Sequence, residues 1–263
     1  MTIIPLLLAT LQIGGEMSAE QIRFNYCMSL IDENIQGARN EASRWIMEGG
    51  SQYAQQCMGN IQAAGGYWNA AEAAFLLAAQ QASDMKDDRA ARLYVQAGNA
   101  ALAAGRPDDA LAHFDAALEL DSLAGVELGE LRLDRASALV TRGDAEAART
   151  EFDMAQALAP EEPLAWLLSA TLARRQGDLE RAQADIEIAA KLDPRNAATA
   201  LEAGNIAAMA GDYTVARRNW EQAMAIDPKA PQADAARAQI AQLDAYERED
   251  GTEQSKMGTD PGT

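Results

Sequence analysis

Residues 143–176, GDAEAARTEFDMAQALAPEEPLAWLLSATLARRQ, run directly into residues 177–210, GDLERAQADIEIAAKLDPRNAATALEAGNIAAMA, and the second stretch repeats the punctuation of the first. Both open on Gly-Asp, and a third pair, Gly211-Asp212, stands 34 residues further on. Five residues after each glycine comes Ala148, Ala182 or Ala216, and nine after it Phe152, Ile186 or Trp220. Twelve after it comes Ala155, Ala189 or Ala223, and seventeen after it Pro160, Pro194 or Pro228. Seven residues before each glycine lies a small residue, Ala136, Ala170 or Gly204. A period of this length marks a stack of supersecondary units, none of which can hide its apolar face alone. Within a unit the pattern is that of a helical hairpin. Gly-Asp supplies backbone freedom after the first helix and a capping acid for the second. An alanine and a large apolar residue four apart share one helix face, and the proline ends that helix.

Two further copies stand at looser spacing. Gly105 carries Gly98, Ala110, Phe114 and Ala117 at the same offsets, and Gly66 carries Gly59, Ala71, Phe75 and Ala78. The surplus residues fall around Leu120–Glu130 and Ala82–Asp88, which read as longer loops between units. These positions resemble the tetratricopeptide repeat family, which carries Gly at the eighth position of 34, Ala at the twentieth, an aromatic at the twenty-fourth, Ala at the twenty-seventh and Pro at the thirty-second. The resemblance covers about residues 52 to 231 in five copies. Ser122 and the Ala82–Asp88 stretch depart from it, standing where the first two copies would carry proline. It implies an all-α chain, a right-handed α-solenoid of stacked antiparallel helix pairs. No segment alternates β-branched and polar residues as a strand would.

The expected organisation is five repeats over 51–231, preceded by an N-terminal helical hairpin over 16–50 and followed by a capping helix over 232–248. In the hairpin, Ser18 to Asn34 and Ile35 to Glu48 are the two helices, with Ile22, Tyr26 and Leu30 on one apolar side and Ala38, Ala42 and Trp45 on the other helix. Ala236, Ile240 and Leu243 give the capping helix one apolar face. Residues 249–263 have the composition of a disordered tail. At the other end, the apolar run Ile3–Leu11 is long enough for the core of an export signal over residues 1–15 and too short to span a bilayer. The alternative is an apolar segment tucked against the first hairpin.

Cys27 and Cys57 are the two cysteines. In such a stack they sit on neighbouring helices, and with an even count and an export signal they are expected to form a disulfide; two buried thiols are the alternative. Export would place the chain in the periplasm, and an intact N-terminus with reduced cysteines in the cytoplasm.

Nothing in the chain points to catalysis, a cofactor or a metal. The single histidine, His113, with two cysteines makes no zinc set. The glycines are accounted for by helix junctions rather than by a phosphate loop. Acid runs such as Asp108-Asp109 and Glu161-Glu162 read as solvated faces. A net charge of −18 repels nucleic acid and anionic lipid and leaves a basic or neutral protein or peptide as partner. The chain is read as a monomer or weak oligomer without integral membrane association. The resemblance implies a concave groove lined by the first helix of each repeat. Its candidates are the residues six before the turn glycine, Asn60, Asn99, Ser137, Thr171 and Asn205, and those ten before it, Gln56, Val95, Leu133, Leu167 and Leu201. Amides and hydroxyls would hold a peptide backbone while Val95 and the leucines touch its side chains. The same polar residues would otherwise only link adjacent helices. The bases near the groove are Arg92, Arg174 and Arg175, too few to clamp a terminal carboxylate as some relatives do. The function this supports is a non-catalytic binding scaffold of the bacterial envelope, or else a regulatory or structural subunit of a cytoplasmic complex.

Overall fold

In the computed structural model of the chain, residues 17–257 are described, with side chains as far as residue 248. The expected export signal and residues 258–263 of the expected tail lie outside the described residues. Among the described residues there are thirteen helices and no strand. The chain divides into two compact units, one up to Ser122 and one from Leu123. The first unit holds α1 (Ala19–Glu33) and α2 (Ile35–Met47), then α3 (Gln52–Ala64) with α4 (Trp68–Asp84), and α5 (Ala90–Ala103) with α6 (Pro107–Glu119). The second holds α7 (Gly125–Arg142) with α8 (Ala145–Leu158), α9 (Pro163–Gln176) with α10 (Leu179–Leu192), α11 (Ala197–Met209) with α12 (Tyr213–Ile226), and α13 (Pro231–Met257). Five of these pairs are the five sequence repeats.

The repeated residues do the work their spacing assigned to them. The turn glycines take the left-handed conformation, with φ from 72° at Gly66 to 97° at Gly143, which residues with a side chain adopt only under strain. Asp178 Oδ1 accepts from the Arg181 amide at 3.1 Å and Asp212 Oδ1 from the Val215 amide at 3.0 Å, so both cap their helices. Asp144 does not. Its carboxylate is drawn to Arg142 two residues back, and α8 starts without a side-chain cap, which corrects the expectation for that turn. Inside each hairpin the small residue of the first helix faces the large apolar residue of the second. A Cβ built on Gly59 would stand 2.5 Å from Phe75 Cε1, and those on Gly98 and Gly204 would collide in the same way with Phe114 and Trp220. Ala182, Ile186 and Ala189 of α10 close on Ala170 and Ala173 of α9 to form one such core.

The surplus residues of the first and second repeats do not make long loops. They lengthen helices: α4 has 17 residues and α7 has 18, against 13 or 14 for the other repeat helices. The Ala-Ala-Gln-Gln-Ala stretch of α4 and the Glu-Leu-Gly-Glu-Leu start of α7 contain no proline to stop them, and their residues are mostly good helix formers.

Ser18 and Gln21 form a reciprocal capping box at the start of α1, and Asn34 caps α2. Ala38, Ala42 and Trp45 are buried as expected. The face that α1 buries differs from the expected one. Cys27 is buried, Phe24, Leu30 and Ile31 pack around it, and Ile22 and Tyr26 are left more than half exposed. The reason is the staple on the opposite side: Cys27 and Cys57 are joined in a disulfide with Cα atoms 6.4 Å apart, and Phe24 stacks against Tyr53 of α3 at 5.6 Å between ring centroids. At the other end α13 seats Ala233, Ala236 and Leu243 on the last repeat and continues to Met257, past the expected boundary at 248. Gly251 alone does not break a run otherwise composed of helix-compatible residues.

Candidate functional site

The groove candidates of the two units differ in what their side chains are bound to and in how far they are exposed. In the first unit Gln56 Nε2 donates to Gln96 Oε1 at 3.0 Å, tying α3 to α5, and Asn60 Nδ2 donates to the Gln56 carbonyl oxygen at 3.0 Å. Val95 is half-buried and Asn99 exposed. In the second unit Ser137 and Thr171 donate their hydroxyls to the carbonyls four residues back, Leu133 and Leu167, each at 3.0 Å. Asn205 Oδ1 accepts from Trp220 Nε1 at 3.1 Å, and its amide donates to Glu202 Oε2 at 3.2 Å. Leu201 is half-buried, whereas Leu133 and Leu167 are each only 6% exposed, Leu167 within the core that α9 and α10 share. Those two leucines have little left to offer a ligand.

Ser137 and Thr171 are brought together. With Val140, Phe152, Leu172 and Arg175 they line an open pocket of about 140 Å³ between α7 and α9, floored by the α8 aromatic. Because both hydroxyl protons are committed to helix carbonyls, the walls present mainly carbon. The guanidinium of Arg175 is exposed at the rim, and no carboxylate among the described residues pairs with it. Its neighbour Arg174 is neutralised, Nε lying 2.6 Å from Glu202 Oε1. Sequence reasoning placed Ser137, Thr171 and Arg175 near this surface and missed Val140 and Leu172, which lie in the same helices three residues before the turn glycine and one residue after Thr171.

The acids are not all solvated. Glu72, Glu151, Asp185 and Glu202 are buried, each against a basic or hydroxylic partner from another helix. Glu151 of α8 lies 3.2 Å from Arg132 Nη1 and also pairs with Arg135. Asp185 Oδ2 accepts from Ser169 Oγ at 2.6 Å, and Ser169 accepts from Arg149 Nη1 at 2.7 Å, so a buried hydroxyl links three helices. Burial depresses the Arg149 pKa, with Arg181 adding to the effect. His113 Nε2 lies 2.9 Å from Glu72 Oε1 and Arg106 pairs with the same carboxylate; burial pushes Glu72 upward, but the hydrogen bonds from Arg106 and His113 hold it below the usual carboxylate range. Each of these carboxylates is held between helices rather than in a cleft, an arrangement that ties layers together. Among the described residues no cluster of His, Cys, Asp and Glu is placed to hold a metal ion, and no helix is long and apolar enough to cross a membrane.

Comparison with known proteins agrees with this architecture. PilW, a type IV pilus biogenesis factor, superposes with a TM-score of 0.70 at 18% identity, over 83% of this chain and 98% of that one. Pseudomonas aeruginosa pilF gives 0.68 at 15% identity, over 84% and 97%. YrrB, described as a TPR protein with an unusual peptide-binding site, gives 0.52 at 22%, over 70% and 91%. At such identities the likeness is one of fold. No curated protein sequence matches the chain significantly. The tetratricopeptide repeat model matches residues 95–163 and 167–234, just over half of the sequence. With five hairpins that each turn on a left-handed glycine, their small-on-large helix contacts and this match, the chain belongs to the tetratricopeptide repeat family.

Proposed function

We propose that this protein is a non-catalytic scaffold that binds a protein or peptide partner on the first-helix face of its repeats, in the periplasm or envelope of a bacterium. The observation that carries the reading is the open, carbon-walled pocket between α7 and α9, lined by Ser137 and Thr171 at the groove offsets and rimmed by an unpaired arginine. Surfaces of stacked helices are suited to peptides because each repeat presents equivalent positions at a regular interval. The envelope is favoured by the disulfide, which persists in oxidising compartments, and by the apolar run Ile3–Leu11. The likeness of fold to PilW and pilF agrees with it.

Co-purification from the native host tests the binding role. The native protein should recover a defined partner, and Ser137→Arg with Thr171→Arg, which fills the pocket, should lose it at unchanged helical circular dichroism. Retention of the partner by this variant would remove the groove from the account. Mass measurement of the native N-terminus tests the location: a chain beginning near Glu16 accords with export, and an intact Met1 with a cytoplasmic subunit.

A further inference from the structure

The second unit carries two pockets related by twice the repeat length. The first is the one between α7 and α9. The second, of about 260 Å³, lies where α11, α12 and α13 meet, and its walls include Tyr213, Trp220, Gln239 and Tyr246. Val140 of the first pocket and Ala208 of the second are 68 residues apart, and so are Phe152 and Trp220, Thr171 and Gln239, and Arg175 and Leu243. The capping helix α13 therefore stands in for the first helix of a further repeat, and its Gln239 occupies the groove offset held by Thr171 in α9. One repeat from Val140, at the position between the pockets, is Arg174. Its guanidinium is tied to Glu202 at 2.6 Å and reaches Met209 Sδ at 3.8 Å, so an ion pair covers the interval.

The two pockets differ in what they fit. A dry cavity of about 150 Å³ accepts a benzene-sized group, so the 140 Å³ pocket suits one leucine-sized side chain. The exposed, unpaired Arg175 at its rim asks for a carboxylate beside that side chain, since a guanidinium takes a carboxylate in a bidentate contact. One arginine, with both nearby hydroxyl protons already committed, does not make a cage for a chain terminus, so the carboxylate is that of an Asp or Glu. The larger pocket is walled by aromatic rings, Tyr213 and Tyr246 lying 5.9 Å apart between centroids, and Gln239 and Gln242 supply amides at its edge. Rings prefer ring partners in tilted or offset contact, and glutamine amides can pair with a peptide backbone. α7, α9, α11 and α13 pack in succession. At 8–10 Å per helix step the pockets are about 16–20 Å apart, and at about 3.3 Å per extended residue that is about five or six residues of peptide.

Resting on the scaffold reading above, we propose that the second unit binds one extended peptide segment at two anchors. An aliphatic side chain next to an Asp or Glu enters the pocket between α7 and α9, and an aromatic side chain five or six residues away enters the pocket at α13. The segment is neutral or basic overall, because the −18 charge of the chain repels an acidic one, while a single contact at Arg175 acts within a Debye length.

Selection of random dodecapeptides displayed on phage against the full chain tests this, with affinities of the selected peptides measured by fluorescence anisotropy. Peptides carrying both anchors at that spacing should be enriched. Arg175→Glu and Tyr246→Ala, both at exposed positions, should each weaken them at least tenfold at unchanged melting temperature. Amidation of the peptide C-terminus should leave binding unchanged; a requirement for the free terminus would overturn the assignment of the carboxylate to a side chain. Enriched peptides that lack the pattern, or that bind both variants as well as the native chain, would overturn the two-anchor site and leave the scaffold reading standing. If no peptide is enriched and no partner co-purifies, both fall.

Discussion

The close contact between the first and second helices of a hairpin predicts the outcome of Gly59→Ala. Gly59 lies in the middle of α3 with helical backbone angles, so on propensity alone alanine should stabilise the helix by about 1 kcal/mol. The packing opposes this. The new Cβ would stand 2.5, 2.6 and 2.9 Å from three carbons of the Phe75 ring, against ordinary contact from about 3.4 Å, so the ring edge must retreat about 1 Å. It has no free space for this: Phe75 is 3% exposed and enclosed by Ala71, Ala97 and Ala100. Overpacking costs about 1–3 kcal/mol, and because three ring carbons are met below 3 Å in an enclosed site the upper part of that range applies, about 2–3 kcal/mol, which exceeds the propensity gain. The expected net loss is about 1–2 kcal/mol, read as a fall of about 3–6 °C in the melting temperature by circular dichroism at 222 nm. Gly59→Ala with Phe75→Leu should recover part of the loss by giving the ring's space to the new methyl. An unchanged or raised melting temperature for Gly59→Ala alone would refute the claim that these glycines are required by helix contact.

Three other outcomes follow from the geometry. Cys27→Ala with Cys57→Ala opens a loop of 30 residues, so the N-terminal hairpin should lose about 3–4 kcal/mol and α1 amides should exchange hydrogen faster; two free thiols in the denatured, unreduced native chain would contradict the bridge. Glu151→Ala removes the carboxylate that Arg132 and Arg135 share and leaves a buried cavity, and should cost about 2–3 kcal/mol in urea unfolding, where replacement of the exposed Glu146 should cost less than about 0.5. Asp87 is held at about 2 rather than 3.8, chiefly by hydrogen bonds from Arg89 against the upward push of burial, with the Gln52 amide adding to them. Because its folded pKa is depressed, its stabilisation is complete above about pH 4 and is lost as pH falls through about 2. The difference in unfolding free energy between the native chain and Asp87→Asn, measured by urea titration and about 1 kcal/mol at pH 6 after solvent screening, should close by about pH 2.

What was readable from the chain alone is whatever recurs within one repeat length. The hairpins, their turns, the glycine against the aromatic and the helical cap after Pro231 all rest on offsets of a few residues, and helical geometry converts such offsets directly into faces. Asp144 shows the limit even there, since an arginine two residues back competes for the carboxylate and the cap is lost. The face of α1 was misjudged for a related reason. Its apolar residues supply two faces, and the bond to Cys57, 30 residues away, selects the one that carries Cys27.

By itself, the sequence determined the family, the number of hairpins and the helices that carry the groove offsets, because a fixed period leaves stacked pairs as the way to bury each apolar stripe. Only the tertiary structure decided which groove residues remain accessible: Leu133 and Leu167 turn inward while Ser137, Thr171 and Arg175 share an open pocket. It also decided that Glu72, Glu151, Asp185 and Glu202 are buried ties between helices. These outcomes depend on the meeting of side chains from helices that no short offset connects, where reach, charge and the volume left by the neighbouring hairpin select the contact.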